Sequence, residues 1–540
     1  MKTSLLSAVS AAALAVSAPA WAQTNTSDID QTGQSNSATV SQTGSGNMSD
    51  VDQSNQFNDA RVEQTGTNAR STVSQTGDGE NATNKNEILV QQSGDGAESI
   101  VEQYGADRNE VEVVQDGDSY SSVIQDGVAQ GAEVRQTGDG NNSYVNQAGN
   151  SNEVGNALNT SESGVIQTGD GNFSNIDQNP ASYTRANVTQ AGDYNVSDVQ
   201  QEAAGQANAL TYATVNQSGV GNDSDINQMT DTAPARLDAS VTQDGTTNFS
   251  TVNQSGQDNE ADIDQSGTSN ESTLTQQGNL ATATITQTGS GNSSTATQGS
   301  PNRLTDSQTL AVTQDGTDND STVTQFGSLG SSVVNQTGSE NMSDVSQGGL
   351  DNDVANIDQV GNYNESYVTQ SANYGLADID QVGDDLYSRV TQSGRANNSV
   401  ASVSQTGSDN GSTILQTAGD AAAGGPGRVQ TATVIQANSG NSSDIFQTNT
   451  QGDPAVSENS ALVSQTGFDN DSLLSQDGHL NTADVYQTGT GNLSDLEQTG
   501  NGNSALVTQG GVGDHSFVTQ TGSGNSATVT QNGGNVPSVN

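Results

Sequence analysis

The chain has no cysteine. No disulfide can brace it, so an exported protein of this kind must be held together by other means. Positive charge is nearly absent: 12 Lys and Arg stand against 63 Asp and Glu, for a formal net charge of -51. That balance argues against nucleic acid as a partner, because phosphate binding needs clustered Lys and Arg. It keeps separate copies apart in solution, and any self-association should depend on salt, which shortens the repulsion. Aromatic residues are 4 % of the chain and all hydrophobic types 29 %, a composition that by itself resembles a disordered chain. No stretch beyond the N-terminus approaches the ~18 to 20 apolar residues of a membrane helix, so no transmembrane segment is expected.

The first residues read as a secretory signal. Lys2 is a short basic region, Leu5 to Val16 an apolar stretch too short to span a bilayer, and Ala20-Trp21-Ala22 a cleavage pattern. The expected organisation is a signal peptide over residues 1–22 and one repeat domain over 23–540. Loss of Lys2 takes the net charge from -51 to -52 and leaves Lys85 as the mature lysine.

What the chain does contain is glutamine at a fixed period of 11 residues, from Gln31, Gln42, Gln53, Gln64 and Gln75 to Gln509, Gln520 and Gln531. Of 42 such units, 41 have Val, Ile or Leu two residues before the Gln, as at Val40, Val51, Val62, Val73, Val507, Val518 and Val529; Ala296 before Gln298 is the exception. A disordered tract has no reason to keep this phase, and a fixed short period means one structural unit copied and stacked. Within Asn47-Met48-Ser49-Asp50-Val51-Asp52-Gln53, period-two alternation puts Asn47, Ser49, Val51 and Gln53 on one face and Met48, Asp50 and Asp52 on the other. Asn525 to Gln531 repeats the order. The turns that follow, such as Thr43-Gly44-Ser45-Gly46, carry residues that tolerate positive φ. Each unit is therefore expected to be a strand of ~6 residues and a turn of ~5.

The units come in pairs. Numbered from Gln31, all seven long gaps between glutamines and all four smaller lengthenings follow odd units, and Pro180, Pro234, Pro301, Pro426 and Pro454 lie in the same odd turns. Gly stands two residues after the Gln in 20 of 21 even turns, as at Gly44, Gly66, Gly138, Gly289 and Gly511, but in 13 of 21 odd turns. The true repeat is 22 residues, and the expected fold is all-β: a flattened β-solenoid of two parallel sheets with about 21 coils, roughly 100 Å long at ~4.8 Å per strand, with every insertion on one edge. Buried amides are costly unless bonded. Gln31, Gln42, Gln53, Gln64, Gln136, Gln147, Gln287, Gln298, Gln509, Gln520 and Gln531, with Asn47, Asn141, Asn292 and Asn525, are expected to form in-register amide ladders.

The pattern resembles the curlin repeat of curli functional amyloid, which reads roughly S-x5-Q-x-G-x2-N-x-A-x3-Q. Gln136-Thr137-Gly138-Asp139-Gly140-Asn141 with Gln147, and Gln287-Thr288-Gly289-Ser290-Gly291-Asn292 with Gln298, follow its second part, with Ser143 and Ser294 in place of the family Ala. The resemblance covers nearly all of residues 25–535; the chain is longer and more acidic than typical members and carries turn insertions. It implies an extracellular fibre subunit, secreted through an outer-membrane pore, nucleated at the cell surface by a nucleator subunit, and acting in adhesion and biofilm matrix. Self is then the main partner.

Other functions find less support. Asp-Gly pairs such as Asp116-Gly117 and Asp244-Gly245 are of the kind found in calcium-binding turns, but the period is 11 rather than nine and Asp does not recur in every turn. A monomeric adhesin or a divalent-cation-binding surface protein is the alternative reading. An ice-binding face is suggested by Thr282, Thr284 and Thr286, yet Asp50 and Asp52 fill the matching positions elsewhere. No cofactor, specific metal site or catalytic constellation is expected. Acidic residues recur as surface pattern, Ser is repeat filler, and the histidines, His479 and His515, read as solvated residues in or beside turns.

Overall fold

A computed structural model describes residues 24–78, 85–105, 108–151, 153–154, 164–203, 209–230, 235–299, 307–349, 352–394, 398–418, 429–449 and 458–533. The expected signal peptide and Pro537 lie outside these residues. Every helix or strand among them is a β-strand, from Thr26–Gln31 to Ser526–Gln531. The alternating sequence is the cause: in Met48–Gln53, Ser49, Val51 and Gln53 are buried while Met48, Asp50 and Asp52 are exposed. A period of two fits a pleated strand and would be smeared around a helix.

The chain divides into two units, residues 1–220 and 221–540. Each unit is a pair of parallel sheets in which successive strands alternate between sheets. In the first unit Thr26–Gln31 pairs with Met48–Gln53, placing Ile29 beside Val51 and Gln31 beside Gln53. Ser37–Gln42, in the other sheet, pairs with Asn58–Gln64, placing Val40 beside Val62. In the second unit Asp223–Thr230 pairs with Phe249–Gln257, and Ala235–Thr246 with Asn259–Thr268. Like residues therefore stack coil upon coil. The fold is the expected all-β, two-sheet parallel solenoid. We call the sheet that holds Met48–Gln53, and its counterpart in the second unit, the first sheet, and the other the second sheet.

Two details differ from expectation. Many strands run to nine residues or more, such as Thr282–Ser290, because the turn residues stack as well: Thr288 pairs with Asp315 and Gly289 with Gly316. One level of the second sheet is split. Glu153–Val154 and Val165–Thr168 both pair with Gly131–Thr137 on one side and with Thr184–Asp193 on the other.

Within each unit the lengthened turns follow strands of the first sheet, and the register survives them. Beyond residues 419–428, Gln430–Ser439 pairs with the preceding second-sheet strand so that Val403 meets Val434 and Gln405 meets Gln436. The interior is thin. Its largest fully buried side chains are Ile and Leu, such as Ile285, Ile357 and Leu474, and between the aliphatic rows run buried Gln, Asn and Ser.

Candidate functional site: amide ladders and open strand edges

Gln53 Nε2 donates to Gln75 Oε1 at 2.7 Å, and Gln31 Nε2 to Gln53 Oε1 at 2.6 Å. In the second sheet Gln42 donates to Gln64 at 2.8 Å and Gln136 to Gln167 at 2.8 Å. The second unit repeats this: Gln287 to Gln314 at 2.8 Å, Gln298 to Gln325 at 2.9 Å, Gln498 to Gln520 at 2.8 Å and Gln509 to Gln531 at 2.9 Å. In all these bonds the donor is the glutamine nearer the N-terminus, so each ladder has a direction. The Gln147 amide extends the same row to Gln178 at 2.9 Å.

A second bond ties the sheets together. Gln53 Nε2 also donates to Ser37 O at 2.8 Å, and Gln287 Nε2 to Glu271 O at 2.8 Å. Each accepting carbonyl is at or beside the start of the strand that faces the glutamine across the interior. The amide group thus works along the stack and across it at once, so Gln suits the position better than a shorter amide. Sequence periodicity gives the first role and carries no signal for the second.

The asparagines at strand starts behave differently. Asn47 Nδ2 donates to Thr43 O at 2.9 Å in its own turn and to Gly66 O at 3.0 Å in the next coil, while Asn47 Oδ1 accepts from Ala69 N at 3.0 Å. Where the next coil also has Asn, the side chains link. Asn172 donates to Asn141 at 3.1 Å, Asn319 to Asn292 at 3.0 Å and Asn525 to Asn503 at 3.0 Å. These bonds point toward the N-terminus, opposite to the glutamine ladders. The short side chain reaches backbone in its own turn, as Asn commonly does. Asn47 therefore joins no amide-to-amide pair with the next coil, where Ala69 replaces Asn.

The glycine two residues after the Gln lies directly under the backbone of the next coil. A Cβ on Gly44 would lie 2.1 Å from Gly66 O, on Gly138 2.2 Å from Gly169 O, and on Gly289 2.0 Å from Gly316 O. Gly66 and Gly511 meet the same obstruction from Gly94 O and Gly533 O. Two residues on from Gly192, Gly316 and Gly361 the chain is again at positive φ, yet Tyr194, Asp318 and Tyr363 occupy that position. Close stacking of turns crowds this glycine in both turn series, since a Cβ on Gly33 and Gly256 of odd turns would meet Asn55 O at 1.8 Å and Gly278 O at 1.9 Å.

The sheets also differ at a position that sequence periodicity marks only as small. Four residues before the Gln, all 21 odd units have Ser, whereas 16 of 21 even units have Ala. The serines line the first sheet. Ser49, Ser71, Ser143, Ser294 and Ser321 bury their Oγ with no hydrogen-bond partner. Others reach a glutamine of the opposite sheet, as Ser366 Oγ does to Gln381 Oε1 at 2.8 Å. The parity count that separates the turns would have separated the sheets too.

Outer faces carry the charge. The Asp52 carboxyl is raised by desolvation at the strand surface and then by Asp50, Asp30 and Asp28. Burial raises Glu110 to about 7, helped by Glu87, Glu112 and Glu133. Among the described residues no group of three or more His, Asp or Glu could hold a metal ion, and no helix is long and apolar enough to cross a membrane. One expectation is corrected: His479 is 4 % exposed, with its ring nitrogen 3.0 Å from Asn449 Nδ2, because the turns stack and enclose it. His515 is exposed, at the start of His515–Ser523.

The terminal coils are incomplete. Inward residues that are buried elsewhere stay half-exposed or exposed in Thr26–Gln31, Ser37–Gln42 and Ser526–Gln531, including half-exposed Val40 and Val529. Val518 is 8 % exposed, against 0 % for Val51, Val62 and Val507 and 1 % for Val73. Stacked parallel sheets cemented by directional amide ladders point to a structural protein. The curlin associated repeat matches residues 25–54, 236–267, 256–289, 316–349, 351–383, 481–511 and 503–533. The chain is a member of the curlin-repeat family. No curated protein matches it.

Proposed function

We propose that the chain is a structural subunit of extracellular curli-like amyloid fibres, polymerising end to end through its stacked strands and its Gln and Asn ladders, in cell adhesion and biofilm matrix. The observation that carries this is the pair of open coils with complementary edges. Among the described residues nothing covers Thr26–Gln31 or Ser526–Gln531. Gln31 and Gln42 lead their ladders with Oε1 acceptors, and Gln520 and Gln531 end theirs with Nε2 donors. Unpaired strand edges invite pairing with another chain, and here the ladder direction favours one orientation, with the last coil of one copy against the first coil of the next. Secretion by way of the signal at 1–22, an outer-membrane pore and a nucleator subunit completes the proposal.

The test is assembly of residues 23–540 at low and high salt, followed by thioflavin fluorescence and electron microscopy. Seeded fibres that grow faster with salt and diffract at ~4.7 Å along the axis are expected. Replacing the inward Val and Gln by Asp in several terminal coils should stop growth; unchanged growth of that variant would overturn the end-to-end mechanism. A folded, soluble monomer in every condition would instead leave a solitary solenoid adhesin.

A further inference from the structure

We propose that the outer face of the second sheet over Val400–Ser408, Gln430–Ser439, Asn459–Phe468, Thr482–Thr490, Ser504–Gln509 and Ser526–Gln531 is a lateral docking surface for the same face of a second copy. It goes beyond end-to-end growth and concerns how neighbouring fibres associate.

The ground is electrostatic. On a chain of net charge -51, side-by-side contact is opposed by like charges wherever acidic outer faces meet. On the second sheet, Glu260, Asp262 and Asp264 face outward from one coil, and Asp378 and Asp380 from another. On the first sheet of the proposed region, Asp444, Asp471, Asp495 and Glu497 do so. Across these six strands of the second sheet, Asp484 is the single charged residue facing outward. Most of the rest are Ser and Thr, with apolar Val400, Ile435, Leu462, Phe468, Tyr486 and Leu506. Ile435 is 42 % exposed, and Tyr486 and Leu506 are each 37 % exposed. Partial burial raises the Asp484 carboxyl, with no neighbouring charge contributing. Asp409 and Asp469 lie in turns at the rim.

Size sets the consequence. Six strands at ~4.8 Å spacing and ~20 Å long cover roughly 600 Å² per copy, or about 1,200 Å² for the pair. That is the lower limit for a stable complex, so two free copies should meet only weakly. Along a fibre the contact recurs with every subunit, and repeated weak contacts add as effective concentration rises. Bundling should therefore follow polymerisation.

The experiment compares fibres of residues 23–540 with two variants. Ile435→Glu with Thr508→Glu charges the proposed face at positions whose stacked neighbours are uncharged. Thr369→Glu with Leu415→Glu adds the same charge to the first sheet. The first variant should elongate at the wild-type rate yet remain as single filaments in micrographs, and the second should bundle as wild type does. Equal bundling by all three, or equal loss in both variants, overturns the proposal. Because the chain has no cysteine, Ile435→Cys gives a second readout: oxidation should link copies through residue 435, whereas Leu415→Cys should link none. If no fibres form at all, end-to-end growth fails by itself. The Ile435→Cys cross-link at high protein concentration still decides the lateral contact, and its absence there overturns it.

Discussion

Gln287→Met removes one rung of a ladder while nearly keeping its volume. The wild-type side chain is buried and donates to Gln314 Oε1 and Glu271 O, each at 2.8 Å, and to Asn292 O at 3.1 Å; it accepts from Gln265 Nε2 at 2.8 Å. Gln265 keeps its bond to Phe249 O at 2.9 Å, so the main orphan is Gln314 Oε1. Leaving such a buried acceptor unpaired costs about 1–3 kcal/mol, and each lost neutral bond a net ~0.5–1.5 kcal/mol. The total should be at least about 2 kcal/mol, or roughly a 30-fold rise in local opening. In a solenoid each coil touches only its neighbours, so the effect should be local. Hydrogen exchange should accelerate in Thr282–Ser290 and in the flanking Asn259–Thr268 and Thr309–Thr317, while Ser504–Gln509 stays unchanged. Thr286→Met, on the outward face of the same strand, is the control and should stay within ~0.5 kcal/mol. If the two variants exchange alike, the ladder adds little to stability and the amides are packing material.

Gly489→Ala should destabilise its coil far more than Gly491→Asn, as read by thermal unfolding, since a Cβ at 489 would lie 2.1 Å from Gly511 O whereas the space at 491 is open and its φ of +65° suits Asn. Glu110, pushed up to about 7, opposes folding while ionised; the stability of Glu110–Asp116 should rise as pH falls from about 7 toward the usual carboxylate range and level off below it, and Glu110→Gln should flatten that dependence in a denaturant series at stepped pH. Ser321→Ala deletes a buried hydroxyl without a partner and should be neutral or stabilising by up to ~1 kcal/mol, whereas a loss in denaturant midpoint would reveal a bond that Ser321 makes.

Much of this is legible in the sequence because stacking copies one local pattern many times. Alternation around Val51 and Gln53 marks the inward face, and the parity of the long gaps separates the two turn series. Three things are not legible. The bond from Gln53 to Ser37 O spans two sheets, and periodicity along one strand cannot encode which backbone atom faces it. The opposite sense of the Asn bonds depends on side-chain length and turn geometry, so Asn47 behaves unlike Gln53 although both repeat and both face inward. His479 reads in the sequence as a solvated turn residue; a turn in a single coil would expose it, and only stacking of successive turns buries it. The Ser and Ala parity, in contrast, is present in the sequence and requires only that the two sheets be counted apart.

Within each unit the lengthened turns follow strands of the first sheet, and the register resumes after them; Gln436 stacks on Gln405 at a separation of 31 residues, nine more than the 22-residue repeat. Loop length and core register are thus inherited separately. A segment can grow, shrink or change composition on that edge without renegotiating any rung. Foreign peptides grafted at 419–428 or 450–457 should ride as passengers on an unaltered frame, and natural variation among such chains should collect on the same edge.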